Sequence, residues 1–116
     1  MDRRKVNDNP AALLDHEFAQ ERASALGRLG RALEAALAEL AAFDARQAGT
    51  AAPAAEIRSA RGKIVAEASV ALWQFVVQRE ACGLRDMRAL IRDYRVPADV
   101  AARMGVLPIE PPRRRR

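Results

Sequence analysis

Four arginines, Arg85, Arg88, Arg92 and Arg95, recur at i, i+3, i+7 and i+10. On a helix they line one side, opposite Asp86 and Asp93. A guanidinium fork grips phosphate or carboxylate through two parallel hydrogen bonds. The stripe is therefore a candidate contact for an anion or an acidic partner. Its ordinary role is a solvated face, or one paired with Glu34, Glu39, Glu67 or Glu80 on neighbouring helices. A second basic cluster, Arg113, Arg114, Arg115 and Arg116, ends the sequence. Four charges hold nucleic acid or an acidic protein weakly and with strong salt dependence.

The other chemistry is sparse. His16 is the single histidine, and no His or Cys stands three or four residues away to share a metal with it. Cys82 is the single cysteine, so no internal disulfide forms, and a nucleophilic thiol needs a base that only His16 offers. There is no phosphate-cradling glycine loop, HExxH, paired-cysteine motif or serine elbow. Residues 96–106 (VPADVAARMGV) resemble the first helix of a helix-turn-helix unit. The recognition helix is missing, because residues 107–116 hold three prolines. The expectation is a protein that is not an enzyme and uses no cofactor or metal.

Charge argues the same way against a dedicated nucleic-acid surface. The 116 residues carry a net charge of +5. Residues 10–109 are nearly neutral, and the excess sits mainly in the last seven residues, whereas a nucleic-acid-binding domain concentrates it on the folded body. Arginine dominates the 20 basic residues. Alanine, arginine, glycine and proline share GC-rich codons, so nucleotide composition explains that excess without a function. No charged start leads into an apolar run, and the longest uncharged apolar stretch, residues 68–78, is too short for a bilayer. Cytoplasmic placement, with no membrane partner, is expected.

Any such site must be carried by helices. Half of the chain is hydrophobic and only 4% is aromatic, which favours helix over strand. Leu26, Leu29, Leu33, Leu37, Leu40 and Phe43 form one row at helical spacing, extended backwards by Leu14 and Phe18. Burial of this whole row is expected. Asn9 before Pro10 suits a helix start, and AGTAAP over residues 48–53 ends it, so a first helix is predicted over residues 10–46. Gly27 and Gly30 lie with Ala23 beside the leucine row. Each costs about 1 kcal/mol relative to alanine, so both are expected to admit another helix at close range.

A second helix is predicted over residues 54–81. Ile57, Ile64, Ala68, Leu72, Phe75 and Val76 give it one apolar face. Val70, Trp73 and Val77 give it another. A helix apolar on two sides is central or shared between subunits. Gly83 ends it. A third helix is predicted over residues 84–94, and Pro97 opens a short fourth over residues 97–104. Residues 1–9 and 107–116 are read as disordered ends around a single helical domain, residues 10–106.

Two stretches, ASALGRLGRALEAAL (residues 23–37) and VQREACGLRDMRALIRDYRVPADVAARMG (residues 77–105), resemble a family of short bacterial proteins classed as a domain of unknown function. The second is the more specific, through its QRE-x-CG-x-RD core and IRDY. The resemblance covers under half of the chain and implies an all-helical domain. It implies no activity and no functional residues.

The expected architecture is all-α: a long antiparallel two-helix hairpin with two short C-terminal helices. A hairpin is too thin to hide both the leucine row and the row of Val70, Trp73 and Val77. Pairing two hairpins in a homodimer would make a four-helix bundle. The leading expectation is thus a non-enzymatic interaction or structural module, with an unidentified protein as a further partner. The alternative is a nucleic-acid-associated protein using the arginine stripe and tail.

Overall fold

A computed structural model describes residues 9–104. Helix takes up 82% of them, and there is no strand among the described residues. The elements are α1 (Pro10–Gln47), α2 (Ala54–Ala81), α3 (Met87–Asp93) and α4 (Ala98–Arg103). Among the described residues no helix is long and apolar enough to cross a membrane. The basic tail, Arg113 to Arg116, and both predicted disordered ends fall outside the described residues, apart from Asn9.

α1 starts where Asn9 and Pro10 dictate. The Asn9 side chain accepts a hydrogen bond from the Ala11 N–H at 2.9 Å, satisfying one of the donors a helix start leaves open. α1 and α2 pack antiparallel. Asp44 meets Arg61 near the turn, and the Arg22 carbonyl accepts from Gln78 Nε2 at 3.3 Å near the other end. Leu33, Leu40 and Phe43 of α1 are buried with Val65, Ala68, Leu72, Phe75 and Val76 of α2. Leu90, Val96, Val100, Ala101 and Met104 close this core from the C-terminal side.

The leucine row is not buried over its whole length. Leu14 and Phe18 remain 49% and 53% exposed. The reason is helix length: α1 has 38 residues and α2 has 28. Residues 10–21 run past the end of α2 as a leading arm, and every residue of it is exposed.

The third helix is shorter than its periodicity suggests. Gly83, at φ +84°, reverses the chain after α2, with its N–H on the Glu80 carbonyl and the Leu84 N–H on the Arg79 carbonyl. This is the Schellman pattern that ends many helices. Asp86 then caps α3 by accepting from Ala89 N–H at 3.0 Å, so residues 84–86 are a connector. α3 closes in the same pattern, with Arg95 at φ 53° in the left-handed position where glycine is usual. The fourth helix matches its expectation to within a residue, with Pro97 and Met104 as its caps.

Three helices meet at Arg61. Its Nε and Nη2 hold the two Asp44 oxygens at 2.8 and 3.1 Å, and its Nη1 holds Asp99 Oδ2 at 2.6 Å. α2 is thereby fastened to both α1 and α4. The Arg61 hydrogen bonds hold both carboxyls below their ordinary titration range. A depressed folded-state pKa gives stability that is present above the unfolded carboxylate pKa and lost as pH falls through the folded one. These groups are partly exposed, so Arg61→Ala is expected to cost about 1 kcal/mol at pH 7. Arg61→Lys, which cannot form the fork, should recover only part of that. Thermal melts across pH check this: the difference between native and Arg61→Ala chains should shrink as pH falls below the ordinary carboxylate range.

Candidate interaction surface

The inward face of α2 is committed to the core, and its other apolar row is not. Val70, Trp73 and Val77 are 55%, 48% and 44% exposed. The 3.6-residue period sets this row well away from the line of Ala68, Leu72 and Phe75. Beside it lies an open hollow between α2 and the end of α4, lined by Ala66, Ser69, Val70, Trp73, Arg103 and Met104. Ser69 is buried there, with Oγ 2.8 Å from the Val65 carbonyl oxygen and 3.1 Å from that of Val100. Its polarity is thus satisfied within the fold. The hollow offers apolar walls and one cation, Arg103. That is chemistry for holding an apolar side chain.

A second uncovered patch lies on the arm of α1. Leu13, Leu14 and Phe18 are about half exposed within six residues of each other. Leu84, 44% exposed, sits on the connector at the end of α2. Periodicity placed Leu14 and Phe18 in the leucine row. It carried no information on where the covering helix stops.

The arginine stripe is not one helix face. Arg88 and Arg92 lie on α3, Arg85 precedes the capping residue and Arg95 follows the helix. All four are exposed. Arg92 Nε contacts Asp93 Oδ1 at 3.2 Å. Among the described residues the other three have no ion pair, and Glu34, Glu39, Glu67 and Glu80 pair with none of the four.

Other candidate groups stay apart. The Cys82 thiol lies 4.0 Å from the Arg22 carbonyl oxygen. His16 stands six residues before Arg22 on α1, about 9 Å away by helix rise and rotated away from it. Among the described residues no three His, Cys, Asp or Glu side chains come together as a metal site requires. The sequence reading missed the Arg61 fork. Asp44 stands four residues before the turn at residues 48–53 and Arg61 eight after it, so symmetry about the turn does not pair them.

Gly30 and Gly27 have different surroundings. A Cβ on Gly30 would lie 3.2 Å from Phe75 Cε1 and from the Tyr94 hydroxyl oxygen. The rings of Phe75 and Tyr94 meet edge to face, with centroids 5.2 Å apart. Among the described residues Gly27 faces no second helix: a Cβ there would meet Arg31 Nη1 of its own helix, at 3.4 Å. The expectation of close helix packing at Gly27 is therefore corrected.

A family model described as a family of unknown function, DUF6665, matches residues 3–113. The match takes in residues 46–64, where the sequence resemblance found no counterpart. No curated protein and no solved structure matches the chain.

Proposed function

We propose, from the premise that the chain belongs to the family of unknown function DUF6665, that it is a non-enzymatic helical interaction module whose first partner is another copy of itself. The observation that carries this is the row of Val70, Trp73 and Val77, about half exposed once the chain has folded. A row of this kind beside an apolar hollow marks an association surface. The proportions of the described helices support the reading, because α1 with 38 residues outruns α2 with 28 and leaves its leading arm exposed. The reading places the protein in the cytoplasm, where its lone cysteine stays a thiol.

Light scattering at micromolar concentration tests the proposal. The expected mass is about twice the 12.7 kDa of one chain, and Trp73→Glu should halve it without loss of helical circular dichroism. A clean native monomer would overturn the reading.

A second reading, nucleic-acid association, is favoured by one observation: Arg85, Arg88 and Arg95 are exposed and have no ion pair among the described residues. Against it stands the near-neutral body. Fluorescence anisotropy with a labelled duplex at low salt decides. Binding lost in an Arg88→Glu, Arg92→Glu chain would support it, and no binding by the native chain would remove it.

A further inference from the structure

We infer that the cover for the row of Val70, Trp73 and Val77 is the leading arm of a second copy, each subunit laying residues 10–21 along the partner's α2. This rests on the self-association reading above. It also accounts for the other unpartnered feature, an arm with Leu13, Leu14 and Phe18 about half exposed.

Area decides between this arrangement and direct pairing of two α2 rows. A large apolar side chain offers roughly 150–250 Å². Three of them about half exposed supply roughly 250–300 Å² per subunit. A stable interface needs about 800 Å² from each side. Pairing α2 with α2 falls well short and leaves the arm bare. Arm exchange engages both patches on both subunits and reaches roughly 600 Å² from these six side chains alone, before the flanking residues are included.

Length and charge fit as well. The arm is 12 residues, about 18 Å long, and α2 from Ala66 to Val77 spans about 17 Å. Glu17 and Glu21, one turn apart, share the side of the arm that carries Leu14 and Phe18. Both are exposed and have no ion pair among the described residues. The hollow they would approach is bordered by Arg103, which likewise has no ion pair among the described residues. The arm projects past the end of its own α2, so a two-fold axis near that end sets the hairpins end to end. Each arm then lies alongside the other's α2. Such a contact is isologous and closes at two copies.

The test uses full-length chains carrying Phe18→Glu or Trp73→Glu, studied by sedimentation equilibrium alone and mixed one to one. Both positions are about half exposed, so helical circular dichroism should match the native chain. Val77→Glu replaces Trp73→Glu should the latter fail to fold. Each variant alone is expected to dissociate at least 100-fold more readily than the native dimer. The mixture should regain a dimer between the two variants, weaker than native, because one intact arm still meets one intact row. A Phe18→Glu chain that dimerises as well as the native one overturns arm exchange and leaves self-association standing. So does a mixture that stays monomeric. A native mass above two chains overturns reciprocal exchange in favour of open-ended donation. A native monomer overturns this inference and the reading beneath it together.

Discussion

Leu72→Ala is expected to lower the unfolding free energy by about 3–4 kcal/mol. Leu72 is 0% exposed and sits at the middle of α2, between Ala68 and Phe75 in the buried row. Truncation removes several methyl and methylene groups from the centre of the core. The cavity cannot collapse easily, because Leu33, Leu40, Val100 and Ala101 of the same buried cluster are held on packed helices. Against a total of about 5–15 kcal/mol for an ordinary domain, this is a large fraction. Urea unfolding at one fixed protein concentration checks it, since self-association makes the midpoint depend on concentration. The midpoint should fall while the slope stays near the native value. A loss below about 1 kcal/mol would show that α2 is not gripped along this face. Leu26→Ala, at a partly buried position near the open end of the hairpin, should cost clearly less.

The contrast between those two leucines marks what the sequence reveals and what it leaves out. Helical period put Leu26 and Leu72 on core faces, and local signals bounded the helices: Asn9 and Pro10 start α1, and Gly83 ends α2. α2 occupies the residues its pattern predicts. These properties are legible because caps and period act within one turn of chain. Burial along a row is different, since it depends on the length of the opposite helix. Leu14 and Phe18 continue the period of Leu33 and Leu40, yet α2 stops before reaching them. The start of α3 was misplaced for a local reason. Leu84 and Arg85 fit a helical pattern, but Asp86 offers a better cap and the chain uses it. The row of Val70, Trp73 and Val77 stood out because an apolar row on the far side of an already committed helix needs no tertiary information to be odd. The Arg61 fork needed the hairpin register, which few sequence signals supply.

Gly30→Leu is expected to cost about 3 kcal/mol, whereas Gly27→Leu should raise stability by up to about 1 kcal/mol. Both residues lie on the same small strip of α1, and both substitutions gain the same helix propensity, so the difference isolates what each glycine faces. At Gly30 the new side chain meets Phe75 and the Tyr94 hydroxyl where even a Cβ is crowded at 3.2 Å. To admit it, the edge-to-face ring pair must separate, and Tyr94 moves with the end of α3 and the left-handed Arg95 that follows. The strain therefore spreads into the segment that carries Val96 and α4. At Gly27 the nearest atom outside the local backbone is the end of a flexible arginine on the same helix, which swings aside at little cost. Paired thermal melts read the sign directly. A Gly30→Leu chain as stable as the native one would mean that Tyr94 leaves its place freely and that α3 is not docked through it. A destabilised Gly27→Leu chain would mean that another surface, such as a second subunit, approaches α1 there. Among the described residues Gly27 faces no other helix, so that second outcome would extend the association surface beyond the arm.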